Sequence, residues 1–279
     1  MMHFRLSNGQ KIPAIGLGTW RSIKDEAYKS VRHALEVGYR HIDTAAIYGN
    51  EVEVGKALAD SGVPREDVFL TSKLWNTHWT TDKARGALKR TLENLGTDYL
   101  DLYLIHWPGP YERIRAVWIA MEEAVDAGTV RSIGVSNFSV HHVDHLLESA
   151  RIAPVANQVE CHPHLQNVFL NNHCNDHGLV LEAYAPLNSN HIGDLLGDST
   201  LKTIAEAHGK TIPQVVLRWH IQRNVVPLPK SVTPSRIEEN FQVFDFRLSP
   251  AEMKTIRRLN RAARHFEEPD NVDFGFRIE

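Results

Sequence analysis

Cysteine is scarce in this chain of 279 residues: Cys161 and Cys174 are the two present. Two thiols cannot frame a disulfide scaffold, so a reducing, cytoplasmic setting is expected. An excess of charge of one sign is also missing. The formal net charge is -3 at pH 7, which gives no general attraction to nucleic acid or to an anionic membrane. No apolar run approaches the roughly 18 residues that a spanning helix needs. The start, Met1-Met2-His3-Phe4-Arg5-Leu6, has no apolar core leading to a cleavage site. No Ser/Gly linker or low-complexity stretch divides the chain, and a single domain over residues 1–279 is expected. With 23% charged and 42% hydrophobic residues the composition is globular, which excludes disorder. Histidine, by contrast, is abundant at sixteen, and raises the question of a metal site.

What is present is an alternation of strand and helix patterns. Candidate strands are Ala14–Leu17, Tyr39–Asp43, Val68–Lys73, Leu100–His106, Val130–Val135, Val155–Val159, Leu179–Tyr184 and Val225–Pro229. They are short, rich in Val, Ile, Leu and Tyr, and bounded by turn residues. Between them lie helical stripes, the clearest being Ile114, Val117, Trp118, Met121 and Val125. Asp82 is the expected N-cap of the helix carrying Leu88, and Gly96 its end. Ser249-Pro250-Ala251-Glu252 reads as a cap, an N1 proline and a Glu at N3. Strand starts fall mostly 24 to 32 residues apart, with a longer gap before the eighth, which is the period of a strand–helix unit. Eight such units predict an α/β fold of the (β/α)8 TIM-barrel type. Two pieces stand outside the repeat. His3–Leu6, Asn8-Gly9 and Lys11-Ile12 form a hairpin pattern. The stretch from Asn260 to Glu279 lacks periodicity and is expected as a C-terminal tail over the active-site face. The competing fold is a doubly wound dinucleotide-binding sheet. Its glycine fingerprint fails here, because Gly16-Leu17-Gly18-Thr19-Trp20-Arg21 lacks the third glycine and opens no helix.

Barrel chemistry sits at the C-terminal ends of strands. There the chain places Asp43 and, five residues on, Tyr48; then Lys73, His106, Ser136-Asn137, Gln158, Glu160, Tyr184 and Lys230-Ser231. Any one of these could cap a helix or sit in a core. Their convergence on one face is what such readings leave unexplained. A tyrosine is a poor acid at neutral pH, and a lysine beside it favours the phenolate. A carboxylate keeps that lysine charged where burial would neutralise it. A neutral histidine can orient a substrate oxygen. Together they form a proton donor aimed at an oxygen that gains negative charge, which requires a source of hydride.

Asp43-Thr44-Ala45-Ala46-Ile47-Tyr48-Gly49-Asn50-Glu51 resembles the signature of the aldo-keto reductase family. Lys73 in Thr71-Ser72-Lys73-Leu74-Trp75 and His106 in Leu104-Ile105-His106-Trp107-Pro108 resemble its catalytic lysine and histidine. Gly134-Val135-Ser136-Asn137-Phe138, Asn157-Gln158-Val159-Glu160 and the segment from Pro229 to Asn240 are similar to its cofactor strands and adenosine-phosphate segment. The resemblance runs from Phe4 to about Leu259. Within the family it is greatest to bacterial 2,5-diketo-gluconate-reductase-like members.

That resemblance implies catalytic roles for Asp43, Tyr48, Lys73 and His106, with Tyr48 as proton donor. It implies an NADPH site made by Thr19, Trp20, Ser136, Asn137, Gln158, Tyr184, Pro186 and Leu187 around the nicotinamide side. Lys230, Ser231, Val232, Thr233, Arg236, Glu239 and Asn240 would hold the adenosine side. A guanidinium fork and an ammonium suit the 2′-phosphate, which favours NADPH over NADH. Trp20, Trp75, His106 and Trp107 would line the substrate cleft. Short loops after Pro108 and Tyr184 imply an open cleft for small carbonyl compounds, and the tail's end, Val272 to Glu279, would close one wall. Ala185 departs from the family, where serine is frequent.

The implied protein is a cytoplasmic, monomeric reductase of a small carbonyl substrate, with no nucleic-acid or membrane partner and no metal. Two alternatives stand beside it. A metal-dependent barrel hydrolase could use Cys161-His162-Pro163-His164, His173-Cys174 or His141-His142, but the strand ends carry poor zinc ligands and His-Glu-x-x-His is absent. A non-catalytic NADPH-binding regulatory subunit would have no need of the four catalytic candidates.

Overall fold

The computed structural model describes residues 2–23 and 25–272. Strands β1 (His3–Arg5) and β2 (Lys11–Pro13) pair antiparallel with Phe4 opposite Ile12. Gly9 turns the chain between them at a φ of 89°, where a side chain would be strained. Eight strands follow: β3 (Leu17–Gly18), β4 (His41–Asp43), β5 (Phe69–Leu74), β6 (Leu102–Ile105), β7 (Ile133–Ser136), β8 (Ala156–Glu160), β9 (Val180–Tyr184) and β10 (Val225–Pro227). They lie in chain order in one sheet, each parallel to the next.

The sheet closes on itself where β3 meets β10. The Gly16 amide donates to Pro227 O and the Gly18 amide to Pro229 O, both at 3.1 Å, and Gly18 bridges to Lys230 in parallel. A Cβ on Gly16 would lie 2.7 Å from the His41 ring and from Leu228. The seam therefore needs glycine for close approach.

Helices alternate with the strands: α1 (Asp25–Val37), α2 (Glu51–Asp60), α3 (Thr81–Leu95), α4 (Tyr111–Asp126), α5 (Val140–Ser149) and α6 (Val168–Asp176). Three follow β9, namely α7 (Ile192–Leu196), α8 (Ser199–His208) and α9 (Ile212–Gln222), and they fill the long gap before the eighth barrel strand. α10 (Pro234–Phe241) follows β10, and α11 (Pro250–Arg257) stands outside the repeat. α1 packs on both α2 and α10, so the outer ring closes as the sheet does.

Local sequence accounts for these elements. The α4 stripe Ile114, Val117, Trp118 and Met121 is buried against the sheet, at about 1.5–3 kcal/mol for each large side chain. Ser249 and Glu252 form the expected reciprocal cap of α11. The N-cap of α3 is Thr80, not Asp82. Thr80 is extended and its hydroxyl accepts from the Lys83 amide at 3.3 Å. Asp82 falls in the first turn and pairs with Arg85 at 2.8 Å. Gly96 ends that helix at a φ of 61°.

Side chains alternate across each strand. Outward ones such as Ile42, Leu70, Ile105, Val135 and Leu181 pack on the helices. Inward, the lower barrel holds Phe69, Leu102, Leu104, Ala156, Val226 and Leu228, and Leu6 and Ile12 of the hairpin join the same cluster. The hairpin thus plugs the bottom. The upper interior is polar, with His41, Asp43, Lys73, Gln158 and Glu182 all buried.

From Asn260 the chain crosses the C-terminal ends of the strands. Amides of Arg261 and Ala263 donate to His164 O at 3.1 and 3.0 Å. Those of His265 and Phe266 donate to the Glu160 carboxylate at 2.8 and 3.2 Å. The described part of the tail therefore lies over the expected face. The wall assigned to the tail's end lies, apart from Val272, outside the described residues.

Candidate active site

Strand ends β4, β5 and β6 bring four side chains together. The Lys73 ammonium, fully buried, donates to Asp43 Oδ1 at 2.6 Å, to Thr44 O at 2.9 Å and to Tyr48 Oη at 3.4 Å. Tyr48 comes from a 3-10 turn, Ala46–Tyr48, that ends at Gly49 in the left-handed region. The His106 ring lies edge-on to Tyr48, centroids 5.7 Å apart, and to Trp75 at 5.2 Å. Asn137 holds the His106 carbonyl at 3.0 Å.

Burial and charge set the protonation states. Burial alone pulls the Lys73 ammonium down, but Asp43 and Tyr48 outweigh it and leave it above the ordinary lysine value. Burial, and then Lys73, hold His106 far below the usual histidine value, so it is neutral. Burial also pushes the Tyr48 phenol up; Lys73 pulls it down and Asp43 adds to the rise. The lysine acts in the expected direction, yet the net shift is upward because desolvation is larger. Tyr48 thus keeps its proton at neutral pH.

The cofactor candidates divide into two groups. Near β7, β8 and β9 they form a network. Ser136 Oγ donates to Gln158 O at 2.8 Å, Tyr184 Oη to Asn137 Oδ1 at 2.8 Å, and Gln158 Nε2 to Asp43 Oδ2 at 2.8 Å. Asn137 adopts a φ of 63°, which turns its side chain into this network. Thr19 spends its hydroxyl on Asp43 O at 3.0 Å. Pro186 O faces His220 Nε2 at 3.4 Å, and Leu187 is half-buried.

The second group surrounds the start of α10. Lys230, Val232, Thr233 and Arg236 are exposed, and Ser231 is buried beneath them. Among the described residues neither Lys230 nor Arg236 has an ion-pair partner, and Thr233 leaves α10 without a side-chain cap. Two unpaired cations beside an uncapped helix start fit a phosphate. Glu239 accepts from Thr211 at 2.7 Å, and Asn240 is buried. The donor set fits a phosphorylated dinucleotide.

The substrate candidates are less uniform. Trp20 is partly exposed, with the Arg21 guanidinium 4.2 Å over its ring. Trp75 is half-buried at the cleft, while Trp107 is buried. Phe266 of the tail belongs to no motif in the sequence. It packs edge-on to Trp20 at 5.4 Å and to Tyr184 at 5.2 Å. Glu160, which anchors it, follows Gln158 at i+2, and that inward spacing was the available signal.

The histidine clusters of the sequence do not gather around Asp43, Tyr48 and Lys73. Cys161 and Cys174 are buried thiols, and His162 and His164 rings stand 6.3 Å apart and perpendicular. Among the described residues three His/acid groups do lie close: His141, His142 and Asp270; Asp144, His173 and His177; Glu160, His162 and His265. The first and third join the tail to the barrel, and the second joins α5 to the end of α6.

A closed parallel barrel carrying a tyrosine–lysine–aspartate chain and a neutral histidine at its C-terminal mouth defines a barrel oxidoreductase. Residues 14–261 match the aldo/keto reductase family. A relative from Sus scrofa, aldo-keto reductase family 1 member A1, is 44% identical over 96% of this chain and 92% of its own length. An aldo-keto reductase enzyme from a Medee basin deep-sea metagenome library is 52% identical. It superposes with a TM-score of 0.96, covering 97% of this chain and 100% of that one. A Bombyx mori aldo-keto reductase in complex with NADP is 36% identical with a TM-score of 0.90, at 96% coverage of both chains. The chain belongs to the aldo/keto reductase family. It is an oxidoreductase that reduces carbonyl groups. Among the described residues no helix is long and apolar enough to cross a membrane.

Proposed function

We propose that the enzyme reduces aldehydes and small ketones with NADPH, and that Tyr48 is the acid. The observation that carries this is the unbroken Asp43–Lys73–Tyr48 chain, with contacts of 2.6 and 3.4 Å. NADPH, when bound, supplies the hydride. Tyr48 gives its proton to the carbonyl oxygen as that oxygen gains charge. Lys73 stabilises the phenolate left behind, and Asp43 keeps Lys73 charged against burial. Neutral His106 orients the oxygen without competing as an acid. Tyr184 offers a flat face for the nicotinamide, with Ser136, Asn137 and Gln158 around its carboxamide. In Tyr48→Phe, NADPH binding should persist while carbonyl reduction falls by a factor of about 10²–10⁴. Retained turnover would remove Tyr48 from the role.

Preference for NADPH over NADH rests on Lys230 and Arg236. Arg236→Ala should weaken NADPH at least about tenfold, one lost charged hydrogen bond, and leave NADH nearly unchanged. Equal weakening of both would sink the phosphate role. The short loops and the resemblance to diketo-gluconate reductases support dicarbonyls, keto-sugars and small aldehydes as substrates. The scarcity of cysteine supports a cytoplasmic setting, and the monomer is carried as part of the same proposal. NADPH oxidation across a carbonyl panel tests the substrate range, and sizing of the purified protein tests the monomer.

A further inference from the structure

The polar upper interior holds a carboxyl that the mechanism above does not use. Glu182, on β9, is wholly buried. Its Oε2 accepts from Gln158 Nε2 at 3.3 Å, and the same nitrogen donates to Asp43 Oδ2 at 2.8 Å. The other oxygen of Asp43 is on Lys73, and Lys73 is on Tyr48. One hydrogen-bonded chain thus runs from Glu182 through Gln158, Asp43 and Lys73 to the phenol. Among the described residues Glu182 Oε1 has no hydrogen-bond partner.

The groups facing Glu182 leave no counter-charge for it. From β4, His41 Nε2 stands 3.7 Å from Oε1. That imidazole is pulled down to about 3 by burial and then by Lys73, so it is neutral. Its Nε2 also lies 3.1 Å from Thr71 Oγ1 of β5. Asp43 on β4 is negative, and Lys73 on β5 is committed to it. β8 contributes the neutral amide of Gln158, and β10 places Val226 beside Glu182. Asp43 and Lys73 cancel. A second carboxylate in this layer would be an unpaired buried charge. Burial, then Asp43, accordingly push the Glu182 carboxyl up to about 8.

We propose that Glu182 is a positioning residue for the catalytic acid: as a neutral acid it holds Gln158 on Asp43, and on losing its proton to solvent it sets a second negative charge beneath the Asp43–Lys73 pair. This rests on the reading of Tyr48 given above. The added charge raises the proton affinity of Lys73 and Tyr48. Tyr48 then holds its proton more tightly, which favours the acid form used in reduction. It disfavours the phenolate that would serve as base for alcohol oxidation. The alkaline rise of alcohol oxidation is therefore deferred to higher pH.

Glu182→Gln preserves the volume and a hydrogen-bonding oxygen for Gln158 but removes the titration. The pH profile of kcat for NADP+-dependent alcohol oxidation should rise at a midpoint about one unit lower than in the unmodified enzyme, the scale of one buried charge nearby. KM for NADP+ should not move, whereas a merely structural defect would lower kcat at every pH without displacing the midpoint. Coincident profiles, or a midpoint displaced upward, would overturn the proposal. Infrared difference spectra of the unmodified enzyme give a test that does not depend on the variant. A protonated-carboxyl band should be present at pH 7 and disappear on titration through about 8. Absence of that band also overturns it. Failure here with Tyr48→Phe inactive removes Glu182 alone; an active Tyr48→Phe removes the reading beneath it.

Discussion

The two halves of the barrel interior are built from the same inward-facing positions yet do opposite things. The lower half is closed by Leu102, Leu104, Val226 and Leu228 and sealed by Leu6 and Ile12. The upper half buries Asp43, Lys73, Gln158, Glu182 and His41. Stability is concentrated in the first, where every buried methylene contributes about 0.8 kcal/mol. The second costs stability, because charges leave water for a layer that matches them only if every partner is in place. The difference shows how one scaffold separates folding from chemistry: the apolar layer supports a polar layer that could not support itself.

Three substitutions or titrations test that separation. The largest effect should come from Lys73→Met. It leaves Asp43 buried without its cation and deprives Tyr48 of its charged neighbour. Reduction should fall by a factor of about 10²–10⁴, measured as kcat/KM in protein shown to be folded by circular dichroism. A loss of less than tenfold would mean that the upper layer is structural. Next is Leu104→Ala in the lower layer. It should cost about 2–5 kcal/mol in urea unfolding while kcat of the folded fraction stays within about twofold. A matching drop in kcat would show that the halves are not separable.

The smallest effect concerns the tail that caps the upper half. Burial acts to raise the Glu160 carboxyl, but His162 and the amides of His265 and Phe266 outweigh it and hold it below its ordinary value of 4.5. A depressed carboxyl contributes stability at pH above the ordinary value, and that contribution is lost as pH falls through the lowered one. Proteolysis within residues 260–272 should therefore accelerate in acid before the barrel unfolds. Glu160→Gln should show the faster cleavage already at pH 7. Identical rates for both proteins across the acid range would remove Glu160 as the fastening.

Much of the fold was legible because barrel strands and helices carry the simplest periodicities. All eight strand candidates are strands, with ends shifted by a few residues. The eight-unit reading does not separate α7 and α8 from the helix before the last strand, because the segment from Asn188 to His208 mixes polar residues and glycines with its apolar positions. The cap of α3 lies two residues before Asp82 because Thr80, Thr81 and Asp82 are all good cap residues and only the backbone conformation decides among them. Asp43, Tyr48, Lys73 and His106 were legible as strand-end residues, and the structure brings them together. Phe266 was not, since its contacts are to residues far away in sequence and depend on two hydrogen bonds to Glu160. The net upward shift of Tyr48 was equally hidden, because pair chemistry can be read from residue types but the depth of burial cannot.

The glycine seam has a consequence for how the chain is made. Gly16 and Gly18 bond to Pro227 and Pro229, so the first barrel strand has one of its two neighbours near the opposite end of the sequence. Closing so long a loop is slow, and contacts of this separation form late. During synthesis β3 can pair with β4 soon after both emerge, but its other edge stays open until β10 is released. An unpaired strand edge of that kind is a hazard for association with other chains. It is also very short here, only Leu17–Gly18, and brevity is one way a growing barrel limits that risk until its last strand arrives.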